Sequence, residues 1–371
     1  MSATALRKPA DVEEFGRELD KIRDEVIGSL GAKDADYIRG VIATQRGLEL
    51  AGRALLFASW LPPAWATGTT ALAAAKILEN MEIGHNVLHG QWDWMRDPKI
   101  HSTTWEWDLV SPARQWKHSH NFVHHTWTNV LGKDRDIGYS AMRVSPEQRW
   151  YPVYLLQPFY NVLLALFFEY GIAIYDVELE RIPTGGKDPK EALTQLRAIA
   201  GKMRRQITKD YLAYPLLAGP GFLPVLLGNL TANLARNVWA HTIIFCGHFA
   251  EGAEFFTEDQ LEGETRGEWY VRQLLGSCNI DGGRLLHLMS GNLSHQIEHH
   301  LFPDLPSNRY ADIAPRVRAL CERFGLPYTS GSLARQTGSV WKRILRLALP
   351  GPGRRGPAEA PPSPGRLRAV V

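Results

Sequence analysis

Residues 116–132 read WKHSHNFVHHTWTNVLG, and residues 293–306 read LSHQIEHHLFPDLP. Each stretch contains His-x-x-x-His-His: His120, His124 and His125 in the first, His295, His299 and His300 in the second. On a helix, positions i and i+4 lie one above the other, while i+5 points about 100° further round. Two imidazoles of this pattern can share a metal ion while the adjacent one is aimed at a different partner. A doubled His-His is therefore awkward for one ion and natural for two. A third stretch, EIGHNVLHG (82–90), adds His85 and His89 at i, i+4.

All 13 histidines fall between His85 and His300, so one site assembled from several segments is expected. Imidazole accepts zinc, copper, iron or nickel, so ligand type alone leaves the metal open. Zinc sites need only three or four ligands. Eight nitrogens in three segments argue for a redox pair that handles dioxygen. The carboxylate-rich di-iron class would show two Glu-x-x-His motifs, and only Glu82-x-x-His85 fits.

The bulk numbers narrow the class further. The 371 residues carry a net charge of +3, too small to imply a broad nucleic-acid-binding surface. Three scattered cysteines, Cys246, Cys278 and Cys321, exclude a disulfide framework or a cysteine-built metal site. The N-terminus is charged and lacks the apolar core of a signal peptide.

Hydropathy predicts an all-α integral membrane protein. Residues 1–45 read as a cytoplasmic amphipathic helical arm and 46–345 as a membrane domain. About four transmembrane helices are expected, at 46–63, 65–83, 211–227 and 230–249, with breaks at Pro62-Pro63 and near Gly228-Asn229. Glu49, Arg53 and Lys76 interrupt the first pair, and a buried hairpin of a soluble fold is the alternative reading. The loop 178–210 carries eight Lys and Arg residues, which the positive-inside rule puts in the cytoplasm. The apolar stretch 151–177 is then a peripheral segment rather than a span. Every histidine-rich segment falls on the cytoplasmic side, in a helical cap of residues 84–150 and 250–345. The Pro-, Gly- and Arg-rich tail, 346–371, reads as disordered. Six tryptophans between Trp92 and Trp127 suit either an acyl channel or an interfacial belt.

HNVLH, HNFVHHTWTN and HQIEHHLFP, in that order, resemble the three histidine boxes of the integral-membrane fatty acid desaturases, with spacing similar to the bacterial acyl-CoA enzymes of stearoyl and linoleoyl type. The resemblance covers residues 45–330 and implies two iron ions, with O2 as co-substrate. The implied ligands are His85, His89, His120, His124, His125, His299 and His300, together with a further one from the third box, where His295 is preferred over Gln296. One more ligand is implied from the end of the last apolar segment, where His248 is preferred over His241. Asn237, Asp108, Asn129 and Glu298, with Thr126, Asp134 and Asp136, are candidates to hold imidazole N–H groups or to serve as ordinary capping residues. His101, His118 and His287 read as structural or as outer partners of the other histidines.

The implied reaction is introduction of a cis double bond into a long acyl chain, presented as acyl-CoA or acyl lipid. No haem, dinucleotide or iron–sulfur motif is evident. A separate electron donor is implied: a ferredoxin, a cytochrome b5-like protein or a flavin reductase. Membrane lipids are expected partners, at a bacterial inner membrane with the active site facing the cytoplasm. A related di-iron hydroxylase is the alternative, and a zinc-dependent membrane hydrolase a more distant one.

Overall fold

Val12, Phe15, Leu19, Ile22 and Val26 recur at helical spacing, and all five are buried along the inner face of α1 (Pro9–Gly28). A computed structural model describes residues 9–351 of the protein. The principal helices that follow are α2 (Ala32–Phe57), α3 (Pro62–Leu78), α4 (Gln157–Leu166), α5 (Phe168–Tyr175), α6 (Pro189–Ile207), α7 (Phe222–His248), α8 (Arg266–Leu275), α9 (Gln296–Leu301), α10 (Tyr310–Arg323) and α11 (Leu333–Ala348). Two three-residue strands, β1 (Asn279–Asp281) and β2 (Ser330–Ser332), pair in parallel, with Ile280 opposite Gly331.

The apolar face of α1 shares one core with Tyr270, Leu274, Ile297, Leu301 and Val317. It packs on α8 and α10, which in turn pack on α9, the helix that carries the third histidine segment. The α2–α3 pair closes through glycine: a Cβ on Gly52 would stand 2.8 Å from the Leu72 amide nitrogen and 2.9 Å from the Gly68 carbonyl oxygen. Only a residue without a side chain permits that approach. Pro62 begins α3 after the break, where a missing N–H costs nothing.

The expected membrane spans are not found. Among the described residues no helix is long and apolar enough to cross a membrane, so the integral, multi-pass arrangement is corrected. Residues 46–57 are the second half of α2, with Glu49 and Arg53 in it. Segment 211–227 is broken by a π-helical turn, Thr208–Ala213, and a short helix, Tyr214–Leu217. The turn expected at Gly228-Asn229 is absent, because α7 runs straight through it. Gly228 is instead a notch, where a Cβ would lie 2.7 Å from Leu56 Cδ2.

The physical reason is a polar seam that hydropathy averages away. Asn229, Asn233, Arg236, Asn237 and His241 on α7 are buried. Arg236 pairs with Glu169, whose other oxygen accepts from Gln206 at 2.8 Å. Arg53 and Lys76 both bind Asp210, at 3.0 and 2.9 Å. Buried charges persist only when so paired. The stretch 151–177 is broken at Phe167 into α4 and α5, with Gln157, Asn161 and Glu169 turned inward. Residues 352–371 of the expected disordered tail lie outside the described residues, and 346–348 belong to α11.

Candidate metal centre

The first two histidine segments leave α-helical geometry where the histidines begin. Glu79–His85 continues α3 as π-helix, followed by one α-helical turn, Asn86–Leu88, with His89 at its end. Lys117–His124 is also π-helical and passes into His125–Trp127. Such wider turns insert a residue into the helical register and recur at functional sites. They bring His120 and His124 nearly parallel, with ring centroids 5.1 Å apart, and His85 to 4.6 Å from His89. The third segment supplies His299 and His300 from α9, and His248 is the last residue of α7.

Side-chain amides fasten the segments together. Asn86 Nδ2 donates to the carbonyls of Glu82 and Gly291, both at 3.1 Å. Asn121 Nδ2 donates to the Leu88 carbonyl at 2.8 Å. Gln273, on α8, donates from Nε2 to the His125 carbonyl at 3.0 Å.

Eight imidazoles converge as a result. His85, His89, His120 and His299 form one set, His124, His248 and His300 a second, and His125 lies within reach of His299 and His300. Within each set one ligand atom per residue lies within 4.8 Å of the others. The His299-His300 pair divides between the two sets.

Hydrogen bonds to the outer nitrogens orient these rings. His85 Nδ1 is 3.0 Å from Asn86 Oδ1, and His300 Nδ1 is 3.0 Å from Gln273 Oε1. Both amides are oriented by their carbonyl partners, so their oxygens accept and the proton sits on Nδ1 of each imidazole. His124 Nδ1 is 3.0 Å from the Asp134 carboxylate, His299 Nδ1 3.3 Å from the Tyr310 hydroxyl, and His120 Nδ1 3.5 Å from Asp136. Acceptors at the outer nitrogen leave the Nε2 lone pair free inward, the usual support of a metal-binding histidine.

The inner nitrogens pose the chemical question. Nε2 of His89, His124, His299 and His300 is buried without a hydrogen-bond partner; the same is true, whatever their direction, of both nitrogens of His125, of Nδ1 of His248 and of Nε2 of His295. Nε2 of His85 and of His120 face each other at 3.3 Å. Buried polar atoms are rarely left unpaired, and so many lone pairs aimed at common points fit cations. Burial, and then the neighbouring His120, pushes His85 down to about 3. Burial likewise holds His89, His120, His125, His248, His299 and His300 well below the ordinary histidine value. At His124 burial opposes the charged form too, but Asp134 raises it. Neutral imidazoles are the form a metal requires.

Other residues singled out in the sequence lie elsewhere. His295 precedes the first turn of α9, at φ −99° and ψ 55°, and stacks on His287 with centroids 4.6 Å apart. The helical i, i+4 relation to His299 therefore does not apply to it. Gln296 Nε2 lies 3.0 Å from His248 Nε2. His241 meets Asn161 at 3.0 Å and stacks on Phe245, away from the cluster. Asn237 donates to the Leu166 carbonyl, and Asp108 binds Lys209 at 2.9 Å. Asn129 donates to the carbonyls of Glu254 and Gly276, and its own N–H reaches Asp134 at 2.8 Å. Glu298 accepts from Asn279 and Tyr328 at 2.9 and 2.7 Å. The supports that sequence reasoning missed are Asn86, Gln273 and Tyr310. Asn86 at least adjoins a histidine, whereas the other two arrive from helices with no motif.

A narrow, mostly apolar cavity leads away from the centre. His85, His120, His248 and Gln296 stand in its wall, together with Trp116 and Ile244. Asn237, also in the wall, lies eleven positions before His248 on α7, so the cavity follows that helix for about 16 Å at 1.5 Å per residue.

Comparison with known proteins gives a consistent picture. The sequence model described as fatty acid desaturase matches residues 58–332. The NADPH-dependent stearoyl-CoA 9-desaturase of Mycobacterium tuberculosis is 50% identical over 345 residues, covering 92% of this chain and 81% of that one. The sn-1 linoleoyl-lipid 6-desaturase of Synechocystis is 29% identical over 282 residues, covering 74% and 77%. Fatty acid desaturase 3 of Homo sapiens is 25% identical over 297 residues, covering 74% and 59%.

Proposed function

Because this chain belongs to the fatty acid desaturase family, we propose that its histidine centre is the seat of O2-dependent desaturation. The protein is an acyl desaturase. Our reading of the centre is a pair of irons, one held by His85, His89, His120 and His299, the other by His124, His248 and His300. His125 stands between them. The observation that carries this reading is the set of buried, unpartnered imidazole nitrogens at one end of an apolar cavity. Bound iron with dioxygen would supply an oxidising power that no side chain has, enough to take hydrogen from an unactivated methylene.

The chain's own residues do the rest. Asn86, Asp134, Gln273 and Tyr310 hold protons on the outer nitrogens and aim the lone pairs inward. Trp107, Trp116 and Ile244 wall the cavity, exclude water and hold the acyl chain against the centre. The substrate we infer is a long saturated acyl-CoA, by likeness to the mycobacterial relative named for stearoyl-CoA. Electrons would come from a separate redox protein, and NADPH in that relative's name suggests their origin.

The exposed side chains of Trp60, Leu61, Leu216, Leu217 and Leu223 cluster at one end of α2, α3 and α7. Exposed apolar patches mark interaction surfaces. We read this one as resting on lipid, where acyl substrates reside, with no helix among the described residues long and apolar enough to cross it.

The test is a fatty-acid profile of cells supplied with an electron donor, expressing either the intact chain or His299→Ala, with metal analysis of both purified proteins. The expected result is a new unsaturated acyl chain and bound iron in the first case and neither in the second. A hydroxylated product, or a zinc-loaded protein active without O2, would sink the reading.

A further inference from the structure

The loop after the second histidine segment, Asp134–Ser140, contains three consecutive left-handed residues: Gly138 (φ 62°), Tyr139 (φ 50°) and Ser140 (φ 56°). Glycine adopts this conformation freely, whereas a bulky L residue avoids it because its Cβ crowds the following carbonyl. Glycine or asparagine would sit at ease at position 139. The strain is sustained by a firm surround. The N–H groups of Ala141 and Met142 both donate to the Gly138 carbonyl at 3.0 Å. The Tyr139 ring lies parallel to Phe245 at 5.8 Å between centroids and edge-on to Phe168 and Tyr175 at 5.8 and 5.5 Å.

Those contacts tie the ring to both ends of the metal centre. Phe245 is three residues before His248 on α7. Tyr139 itself is three residues after Asp136, whose carboxylate lies 3.5 Å from His120 Nδ1. Tyr139 shares the wall of one cavity with His120 and His248. Backbone strain kept at such a place, with an aromatic where a small residue would fit better, marks a constrained position.

We propose that Tyr139 is a positioning residue for the acyl chain: its ring sets the chain's register past His120 and His248, and so decides which pair of carbons is desaturated. The inference rests on the reading of the cavity as the acyl site. An apolar chain offers no polar handle, so its register depends on contact with rigid walls. A shift of one methylene in an apolar pocket is discriminated by about 10–200-fold.

The experiment compares full-length iron-loaded protein with Tyr139→Phe, Tyr139→Ala and Tyr139→Gly, reading the double-bond position in the product by mass spectrometry. The glycine variant relaxes the backbone while removing the ring, which separates loss of the wall from loss of the fold. Tyr139→Phe should keep the wild-type position. The alanine and glycine variants should yield mixed positional isomers, with regioselectivity reduced on the order of tenfold or more. A single unchanged position in both small variants would overturn the proposal, as would a Tyr139→Phe protein as indiscriminate as Tyr139→Ala. A second readout is anaerobic binding of saturated acyl-CoA esters of graded length, followed by quenching of Trp107 and Trp116. The small variants should shift the preferred length, and an unchanged preference would count against the proposal. Absence of quenching in the wild type would instead remove the acyl-cavity reading, and this inference with it.

Discussion

The side-chain oxygen of Gln273 lies 3.0 Å from Nδ1 of His300, while its amide nitrogen donates to the His125 carbonyl, also at 3.0 Å. One side chain of α8 thus orients a histidine of the third segment and anchors the backbone of the second. Gln273→Leu removes both contacts at little change in volume. Loss of such an outer partner costs about 10–100-fold in metal affinity. Iron titration of the variant should show that loss with the helical circular dichroism unchanged; wild-type affinity would contradict it.

The histidines divide sharply by position. His299→Ala should lose bound iron, because its nitrogen is one of the converging set. His295→Ala and His241→Ala should retain it, since their rings engage His287 and Asn161. Metal analysis of the three purified variants decides the matter. Iron lost from His295→Ala to the same degree would place that residue back in the centre.

Asp210 joins α2 and α3 by binding Arg53 and Lys76, with none of its side chain exposed. Burial opposes its charge, yet Lys76, Lys209 and Arg53 together hold the carboxyl below its ordinary value. A depressed carboxyl contributes stability that is full above the unfolded pKa, about 3.9, and lost as pH falls through the lower folded value. Asp210→Asn should therefore cost about 3–5 kcal/mol at neutral pH, with the gap to wild type narrowing only in strong acid. Denaturation measured across pH tests both the size and the direction.

Gly52→Ala would push a methyl group against the backbone of Leu72 and Gly68, at 2.8 and 2.9 Å. Overpacking of this kind costs about 1–3 kcal/mol. A methyl group added at Gly40, on the same helix, would meet nothing within 4 Å. There alanine should stabilise by roughly 0.5–1 kcal/mol through helix propensity. Melting curves of the two variants should therefore move in opposite directions, and parallel shifts would refute the close contact.

Much of the centre is legible in the chain itself. Histidine ligation is a property of residue type and local spacing, and His85, His89, His120, His124, His125, His299 and His300 stand in short motifs. Their division into two sets follows the doubled His-His pattern. The preference for His248 over His241 rests on its place at the end of a helix, and α7 does end there. The apolar runs are legible too, but not their destination. Asn229, Asn233, Arg236 and Asn237 look like isolated polar residues in a hydrophobic text, and their partners lie on other helices.

The candidate ligand residues, the helical class and the family are legible in the amino-acid sequence alone, because they reside in residue identity at short range. Three-dimensional packing settled the rest. It put His295 outside the helix that carries His299, and it brought Gln273 and Tyr310 to the outer nitrogens of His300 and His299. It also replaced the expected spans with helices whose polar faces are paired inside the protein. Each of these depends on where a helix starts, on an extra residue in a π-helical turn, or on hydrogen bonds between residues far apart in the chain. Local periodicity carries no record of such long-range pairing.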